Sequence, residues 1–399
     1  MNNPVRLAAA LGASLVLGWG AAPSSMGAEP APMRPLPPGQ RVSGPGSSDY
    51  IHASWSQTVV GAGATACWLF EPADPVPAEA PLVVFMHGWA ALDPWLYGAW
   101  IEHLLRRGNV VLFPRYQTTL FSNPPGFYTS TVQALRDALR QAGQGDHVKL
   151  KPGQVAYVGH SMGAVLSANL AAGAANEGLP PPKALMCVQP GGTRRTPDSI
   201  GLDLHDLRTI PTGTLLLSVA GDRDAVVGDV DAVRIYQGAG HLPEADRNLV
   251  YFLTDERGSP PLRGNHYAPC SPPCDFCNSP GEPPPGSFPT QLKAALGVAL
   301  GDYSPLRWLL QTPHGREWMH SRIHCPVYAE TFYAPDAMDF DHWRLFDALC
   351  ETAFTGRNRG QALGNTAAQR GRGSWSDGTR VKELRVITGN VIRLPFSKK

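Results

Sequence analysis

One serine in this chain lies where it could act as a nucleophile. The segment Gly159-His160-Ser161-Met162-Gly163 has the spacing Gly-x-Ser-x-Gly, and the apolar run 155–158 leads directly into it. A stretch rich in Ala and Leu follows, so the pattern predicts a strand, a tight turn and a helix. Such a turn holds the serine hydroxyl clear of the sheet, at a helix N-terminus whose partial positive charge favours a developing anion. The alternative is a serine that only caps the helix.

The elements that position this serine are indicated by apolar runs in which polar and apolar residues do not alternate. Strands that are buried on both faces of a parallel sheet show this pattern. Such runs lie at 82–86, 110–113, 155–158, 184–188, 214–219 and 249–253. Helical patterns lie at 94–107, 128–142, 162–176, 230–238 and 340–354. The alternation of strands and helices predicts an α/β fold with right-handed crossovers.

The serine segment, in this strand–turn–helix setting, resembles the nucleophile turn of the α/β-hydrolase superfamily, and specifically of its esterase, lipase and cutinase-like members. The resemblance covers about residues 65–270. It implies a mostly parallel central sheet flanked by helices on both faces, and a serine hydrolase that cleaves carboxylic esters through an acyl-enzyme. That chemistry uses a Ser-His-Asp triad without a cofactor or metal ion. The implied partner is a small-molecule or polymeric ester.

The resemblance also implies where the acid of the triad lies, because the family's chain order is Ser, then Asp or Glu, then His. The run 214–219 ends in Ala220-Gly221-Asp222-Arg223-Asp224. In the family the carboxylate lies three residues beyond this glycine, which predicts Asp224. Asp222 is the alternative, and its other role is a turn cap or a partner of Arg223.

Two histidines are candidates for the base that takes the serine proton. His266 lies in a loop after the run 249–253, where the family places its histidine. His241, in the Gly-Ala-Gly-His-Leu-Pro segment 238–243, resembles the family's common final segment. However, it lies only 17 residues after Asp224, and the run 249–253 would then be left unused. The sequence favours His266 and leaves His241 as the alternative.

Acyl transfer also needs N–H groups that stabilise a tetrahedral oxyanion. The residue after the nucleophile, Met162, supplies one of them in this fold. The segment His87-Gly88-Trp89 after the run 82–86 resembles the family's His-Gly-x loop, which predicts the N–H of Trp89 as the second donor. His87 and Gly88 are expected to shape this loop.

Aromatic residues cluster after the predicted oxyanion loop. They are Trp89, Trp95, Tyr97 and Trp100. They are expected either to pack on the sheet or to line an apolar pocket. The segment 116–128 is expected to be a loop near the mouth of the site.

The composition excludes some classes of function. The 399 residues carry 34 basic and 33 acidic side chains, a net charge of +1, without a basic stripe that would bind nucleic acid. No apolar run after the N-terminus approaches the ~20 residues that span a bilayer. The oligomeric state is not indicated.

The chain ends suggest export and a modular layout. Arg6, the apolar run 7–17 and the small residues after it predict a signal peptide over 1–28, and hence a secreted or periplasmic protein. Residues 29–50 are rich in Pro, Gly and Ser and predict a flexible lead-in. The hydrolase domain is expected over 51–354, followed by a C-terminal extension over 355–399 with one strand near 384–387.

The cysteines predict disulfides. Cys270, Cys274 and Cys277 lie in a proline-rich segment, 268–288, that predicts an irregular insertion. An oxidising compartment favours disulfides, and a zinc site completed by Cys325 or His324 is the alternative. The other cysteines in apolar runs, Cys67 and Cys187, are expected to be inert core thiols.

The sequence also leaves three other functions to consider. The segment 61–66 matches Gly-x-Gly-x-x-Ala, the dinucleotide-binding pattern, but a strand-like run follows where that pattern requires a helix. A non-catalytic binding protein on the same fold would lack a member of the triad. An acyltransferase would use the same serine chemistry with an alcohol in place of water.

Overall fold

The apolar runs pair into one continuous sheet. The computed structural model describes residues 34–89, 91–92, 94–119, 122–196, 199–271 and 336–389, and within them the sheet has nine strands. They are β1 (Ser54–Val60), β2 (Cys67–Ala73), β3 (Glu79–Met86), β4 (Val110–Pro114), β5 (Lys149–His160), β6 (Ala184–Val188), β7 (Leu215–Gly221), β8 (Arg247–Phe252) and β9 (Arg385–Ile387). Their order is β1-β2-β4-β3-β5-β6-β7-β8-β9.

The direction of the strands confirms the predicted fold class. Neighbouring strands among β3 to β8 are parallel, whereas β1, β2 and β9 pair antiparallel at the two sides of the sheet. The helices of the described residues are α1 (Gly98–Arg106), α2 (Phe127–Ala142), α3 (Met162–Gly173), α4 (Val230–Gly238), α5 (Ala337–Thr355), α6 (Arg359–Ala362) and α7 (Ala367–Arg370). A mostly parallel sheet connected through helices is therefore the central feature of the fold.

The two faces of the sheet have separate hydrophobic cores, which explains why the strand sequences do not alternate. In β3, Val83 and Phe85 face the core shared with α1 and α5, and Val84 and Met86 face the core shared with α2 and α3. Phe85 is fully buried and packs edge-on against Trp100 of α1, with ring centroids 5.3 Å apart. Burial of each such side chain contributes roughly 1.5–3 kcal/mol.

The register of the sheet brings three loops to one edge. Gly159, near the end of β5, is paired with Met86 of β3 on one side and with Cys187 of β6 on the other. Because the carboxyl ends of parallel strands meet at one edge, the loops after β3, β5 and β6 emerge side by side. The serine segment lies at the centre of this group.

Helix α5 is held to the rest of the molecule by buried charges. Asp347 accepts a hydrogen bond from the backbone N–H of Gly46 at 2.8 Å and lies 3.0 Å from Nε2 of His103 in α1. Burial opposes ionisation of Asp347, but His103 and Arg107 hold the pKa of its carboxyl below the usual value. Residues 45–47, within the predicted lead-in, are buried at this contact.

The residues after α5 pack onto the same sheet. Strand β9 pairs with β8 and confirms the strand that the sequence indicates near 384–387. Arg372 is buried, and its guanidinium donates to Oδ2 of Asp341 at 2.7 Å and to the carbonyl of Leu253 at 2.8 Å. The indole N–H of Trp375 donates to Asp255 at 3.1 Å.

The Gly-rich segment 61–66 does not open a helix of the dinucleotide-binding type. It connects β1 to β2, which are antiparallel neighbours, through one 3-10 turn at Gly63–Thr65. Phosphate binding by that motif depends on the N-terminus of a following α-helix, so the dinucleotide interpretation is wrong.

Two predicted segments lie mostly or wholly outside the described residues. These are the signal peptide over 1–28 and the insertion over 268–288, of which residues 268–271 are described. Among the helices that the structure does describe, none is long and apolar enough to cross a bilayer.

Candidate active site

The serine lies at a strained turn between β5 and α3. Ser161 has φ 56° and ψ −122°, a region that residues other than glycine rarely adopt. Hydrogen bonds to the neighbouring strand loop hold this conformation. The N–H of Ser161 donates to the carbonyl of Val188 at 3.0 Å, and its own carbonyl accepts from the N–H of Gly191 at 3.2 Å.

The two glycines of the serine segment are required by close backbone contacts. A Cβ on Gly159 would lie 2.3 Å from the carbonyl oxygen of Gly163, and a Cβ on Gly163 would lie 2.2 Å from the carbonyl oxygen of His87. No side chain fits at either position without a backbone shift. The sequence spacing therefore reflects how tightly this turn packs against the loop after β3.

A histidine contacts the serine hydroxyl, and a carboxylate contacts that histidine. Nε2 of His266 lies 3.1 Å from Oγ of Ser161, and Nδ1 of His266 lies 2.8 Å from Oδ2 of Asp224. Both His266 and Asp224 are buried. The other oxygen of Asp224 accepts the backbone N–H groups of Val226 and Val227 at 2.9 and 3.0 Å, which fixes the orientation of the carboxylate.

The alternatives for the acid and the base lie elsewhere. Asp222 caps a neighbouring loop, where its Oδ1 accepts the N–H and the hydroxyl of Thr254 at 3.0 and 2.6 Å. His241 lies after α4, and its Nε2 is 2.7 Å from the carbonyl oxygen of Ile210. Neither contact involves Ser161, so only Asp224 and His266 of these candidates are brought to the serine.

Comparison with known proteins agrees with the fold. Residues 83–213 match a family model described as alpha/beta hydrolase fold. This match and the mostly parallel sheet support the α/β-hydrolase superfamily and its fold. The matched range contains the serine turn and ends before Asp224 and His266. No match was found among curated proteins.

In this α/β-hydrolase fold, the loop that carries His266 is fixed through three consecutive carbonyl groups. The carbonyl of Gly264 accepts a hydrogen bond from the N–H of Arg223 at 2.9 Å. The carbonyl of Asn265 accepts one from Nε2 of Gln189. The carbonyl of His266 accepts one from Nε2 of His160 at 2.8 Å. The donors come from the loops after β7 and β6 and from the last residue of β5. The position of the imidazole is thus tied to the ends of three strands.

The predicted oxyanion loop follows β3. The N–H of Gly88 donates to the hydroxyl of Tyr97 at 2.9 Å, so this N–H is already used. Trp89, the next residue, is 40% exposed, and its indole packs edge-on against Phe127. The oxyanion roles predicted for the N–H groups of Trp89 and Met162 stay predictions.

His87 shapes this loop. Burial lowers the pKa of His87 to about 4, although hydrogen bonds to two carbonyl groups favour its protonated form. These carbonyls belong to Gly88 and Arg115, at 2.7 and 2.6 Å from the ring nitrogens. The ring also stacks on Tyr116, with centroids 3.9 Å apart. This location agrees with a structural role, as predicted.

The aromatic cluster divides between core and surface. Tyr97 and Trp100 are fully buried on the sheet, as one of the two predicted alternatives has it. The side chain of Trp95 lies outside the described part of the structure. Tyr97 has a further contact that the sequence does not indicate, because its hydroxyl lies 2.9 Å from Nδ1 of His160.

Four cysteines fall within the described residues, and all four are free and buried. Burial raises the pKa of Cys67 and Cys187, as expected for unreactive core thiols. Cys270 is also a free thiol, so no disulfide joins it to another described cysteine. Cys274, Cys277 and Cys325 lie outside the described residues, and a disulfide among them stays a prediction.

Proposed function

We propose that this protein is a serine hydrolase that cleaves carboxylic esters through an acyl-enzyme. The observation that carries the proposal is the contact series from Oγ of Ser161 to His266 and on to Asp224, with separations of 3.1 and 2.8 Å. A hydroxyl, an imidazole and a carboxylate in this order are the groups that nucleophilic acyl transfer needs. The coarser conclusion, a hydrolase fold, rests on the family match as well.

The first half of the reaction forms the acyl-enzyme. Oγ of Ser161 attacks the ester carbonyl carbon while Nε2 of His266 takes the hydroxyl proton. The N–H groups of Trp89 and Met162 stabilise the negatively charged oxygen. The C–O bond to the leaving alcohol then breaks, and His266 returns the proton to the alcohol oxygen.

The second half releases the acid. His266 takes a proton from water as the water oxygen attacks the acyl carbon, and the proton is returned to Oγ of Ser161 when the acyl bond breaks. Asp224 keeps the proton of the neutral imidazole on Nδ1 and stabilises the imidazolium in both halves. Each step uses only groups of this chain, the ester and water.

The experiment is hydrolysis of a chain-length series of nitrophenyl esters by the purified mature protein. We expect wild-type protein to turn over at least one chain length and Ser161→Ala to be inactive with a nearly unchanged melting temperature. The melting temperature should hardly change because alanine, like serine, carries a Cβ, so the cost of the positive φ at position 161 is the same in both proteins. Retained hydrolysis in folded Ser161→Ala would exclude the proposed mechanism.

Product analysis separates hydrolysis from acyl transfer. With a primary alcohol added, a hydrolase releases mainly the free acid, whereas an acyltransferase forms mainly the new ester. The proposal predicts the free acid as the main product. A dominant ester product at low alcohol concentration would assign the chain to transfer chemistry.

We also propose that the protein is exported. Arg6 and the apolar run after it support a cleavable leader over 1–28. Expression with this leader in a bacterial host, followed by N-terminal sequencing, tests the proposal. We expect a processed chain outside the cytosol, and an intact leader on cytosolic protein would refute export.

A further inference from the structure

A buried series of hydrogen bonds connects the oxyanion loop to the loop of the base. The N–H of Gly88 donates to Oη of Tyr97 at 2.9 Å, and the Tyr97 hydroxyl lies 2.9 Å from Nδ1 of His160. Nε2 of His160 lies 2.8 Å from the carbonyl oxygen of His266. Gly88 precedes Trp89, and His160 precedes Ser161, so the series passes beside the nucleophile, the base and the predicted oxyanion loop.

The chemistry of the partners fixes where each proton lies. A carbonyl oxygen only accepts, so Nε2 of His160 carries the hydrogen that the carbonyl of His266 receives. In the neutral ring Nδ1 is then an acceptor, and the hydroxyl of Tyr97 donates to it. The tyrosine oxygen in turn accepts the N–H of Gly88, and every group in the series has a partner.

Burial keeps the groups of this series in one protonation state. Tyr97 is fully buried and His160 is 3% exposed. Burial lowers the pKa of His160 well below the usual value, and the nearby imidazole of His266 lowers it further. A neutral His160 suits the reaction, because its ring centroid is 4.7 Å from that of His266, which becomes positively charged during acyl transfer.

The surrounding packing leaves little freedom for these loops. The ring of Tyr97 lies against Phe85 of β3, with centroids 5.1 Å apart. A Cβ on Gly88 would be 3.2 Å from the tyrosine oxygen and 3.3 Å from Cβ of Ser161. Tyr97 is therefore held against β3, and Gly88 is held against the serine turn that follows β5.

We propose that Tyr97 and His160 are positioning residues, which hold the oxyanion loop and the loop of His266 at a fixed separation around Ser161. The inference rests on the proposed ester hydrolysis and names residues that act on it indirectly. Tyr97 binds the N–H of Gly88 and so orients the loop at Trp89. His160 holds the backbone of His266, while Asp224 holds its ring.

The test compares Tyr97→Phe, His160→Leu and the double variant in hydrolysis of nitrophenyl butyrate. Loss of alignment between nucleophile, base and oxyanion donors lowers kcat more than it changes KM, because these contacts act mainly in the transition state. We expect kcat to fall on the order of 10–10²-fold in each single variant, with KM within about twofold. Because both residues belong to one series, the double variant should lose little more than the worse single variant.

Two further variants separate positioning from general damage. His160→Gln places an amide N–H near the former Nε2 and should recover much of the lost rate. Tyr157→Phe is the control. It removes a buried hydroxyl outside the series, that of Tyr157 in β5, which donates to the carbonyl of Pro180 at 2.8 Å. It should keep kcat within about twofold, because uncoupled structural changes act on folding and not on the transition state.

The outcomes are distinguishable. Rates of Tyr97→Phe and His160→Leu within about threefold of wild type, or fully multiplicative losses in the double variant, overturn the inference. Tyr97→Phe lacks one oxygen atom only and decides the matter if His160→Leu does not fold. A fluorophosphonate probe is applied to the wild type in parallel. Labelled wild type with unaffected variants refutes the positioning role alone, whereas unlabelled wild type refutes the proposed function and this inference with it.

Discussion

Asp224 and His266 are joined by a contact in which both partners have a fixed orientation. Oδ2 of Asp224 lies 2.8 Å from Nδ1 of His266, while Oδ1 accepts two backbone N–H groups of its own loop. The carboxylate therefore cannot turn away without losing those bonds. It selects the tautomer of His266 whose Nε2 is free to accept the proton of Ser161.

Asp224→Asn should keep the shape of the site and lose most of its activity. The amide can offer Oδ1 to the loop only by turning its NH₂ group toward His266, and this stabilises the wrong tautomer. We expect kcat to fall on the order of 10⁴-fold, as for the same change in the serine-protease triad. The matched control is Asp222→Asn, where an amide oxygen can still accept from Thr254. Equal losses in the two variants would contradict the assignment of the acid.

His266→Ala and His241→Ala should differ in the formation of the acyl-enzyme. His266 is 3.1 Å from Oγ of Ser161, whereas His241 contacts the carbonyl of Ile210. Stopped-flow measurement of nitrophenol release should show no burst for His266→Ala and a burst close to wild type for His241→Ala. A burst that survives in His266→Ala and disappears in His241→Ala would reverse the choice of base.

Gly163→Ala should destabilise the protein despite the high helix propensity of alanine. The added Cβ would lie 2.2 Å from the carbonyl oxygen of His87, so the loop after β3 or helix α3 must shift. Overpacking of this kind costs about 1–3 kcal/mol of unfolding free energy or more, which exceeds the gain in propensity of up to ~1 kcal/mol.

Gly126→Ala is the control for that comparison, because no atom lies within 4 Å of a Cβ at this position. Its unfolding free energy should stay within about 0.5 kcal/mol of wild type. Urea denaturation measures both variants. A Gly163→Ala protein as stable as Gly126→Ala would show that the serine turn is less tightly packed than the structure indicates.

Stability should fall as the pH decreases from about 6.5 toward 4. Burial lowers the pKa of both His87 and His342 to about 4, and it lowers that of His160 as well. In this window the unfolded chain binds protons on these residues and the folded protein does not. Each histidine therefore removes up to about 1.4 kcal/mol of unfolding free energy per pH unit.

Urea midpoints between pH 7 and pH 4.5 measure this slope. His342 stacks on Phe252 with centroids 4.0 Å apart, so His342→Phe keeps an aromatic ring there and should reduce the slope. A slope in His342→Phe as steep as that of the wild type would contradict the contribution assigned to His342.

Much of the fold is predictable from local sequence patterns. Whether a helix or strand is buried on one face or on both determines how often apolar residues recur along it. The strand at 184–188 and the helix at 230–238 are found with the predicted bounds. The serine turn is equally local, since Gly159 and Gly163 are needed for contacts within and beside one segment. The side of the sheet at which Asp224 and His266 meet Ser161 follows from the parallel order of the strands.

The parts that could not be predicted depend on contacts between distant residues. Tyr97 is an ordinary core aromatic by sequence, and its hydrogen bond to His160 spans 63 positions. Gln189, which donates to the carbonyl of Asn265, follows a strand without any distinguishing pattern. The packing of Arg372 onto Asp341 is likewise invisible in a tail that is rich in Gly and Arg. Side-chain hydrogen bonds between distant residues produce no recurring pattern in the sequence from which they could be predicted.

The most direct measurement is intact-mass analysis of the purified protein after incubation with a fluorophosphonate, followed by peptide mapping. If His266 activates Ser161, each chain should gain one adduct, located on Ser161, and Ser161→Ala should gain none. An unmodified wild-type protein, or an adduct on another residue, would contradict the account.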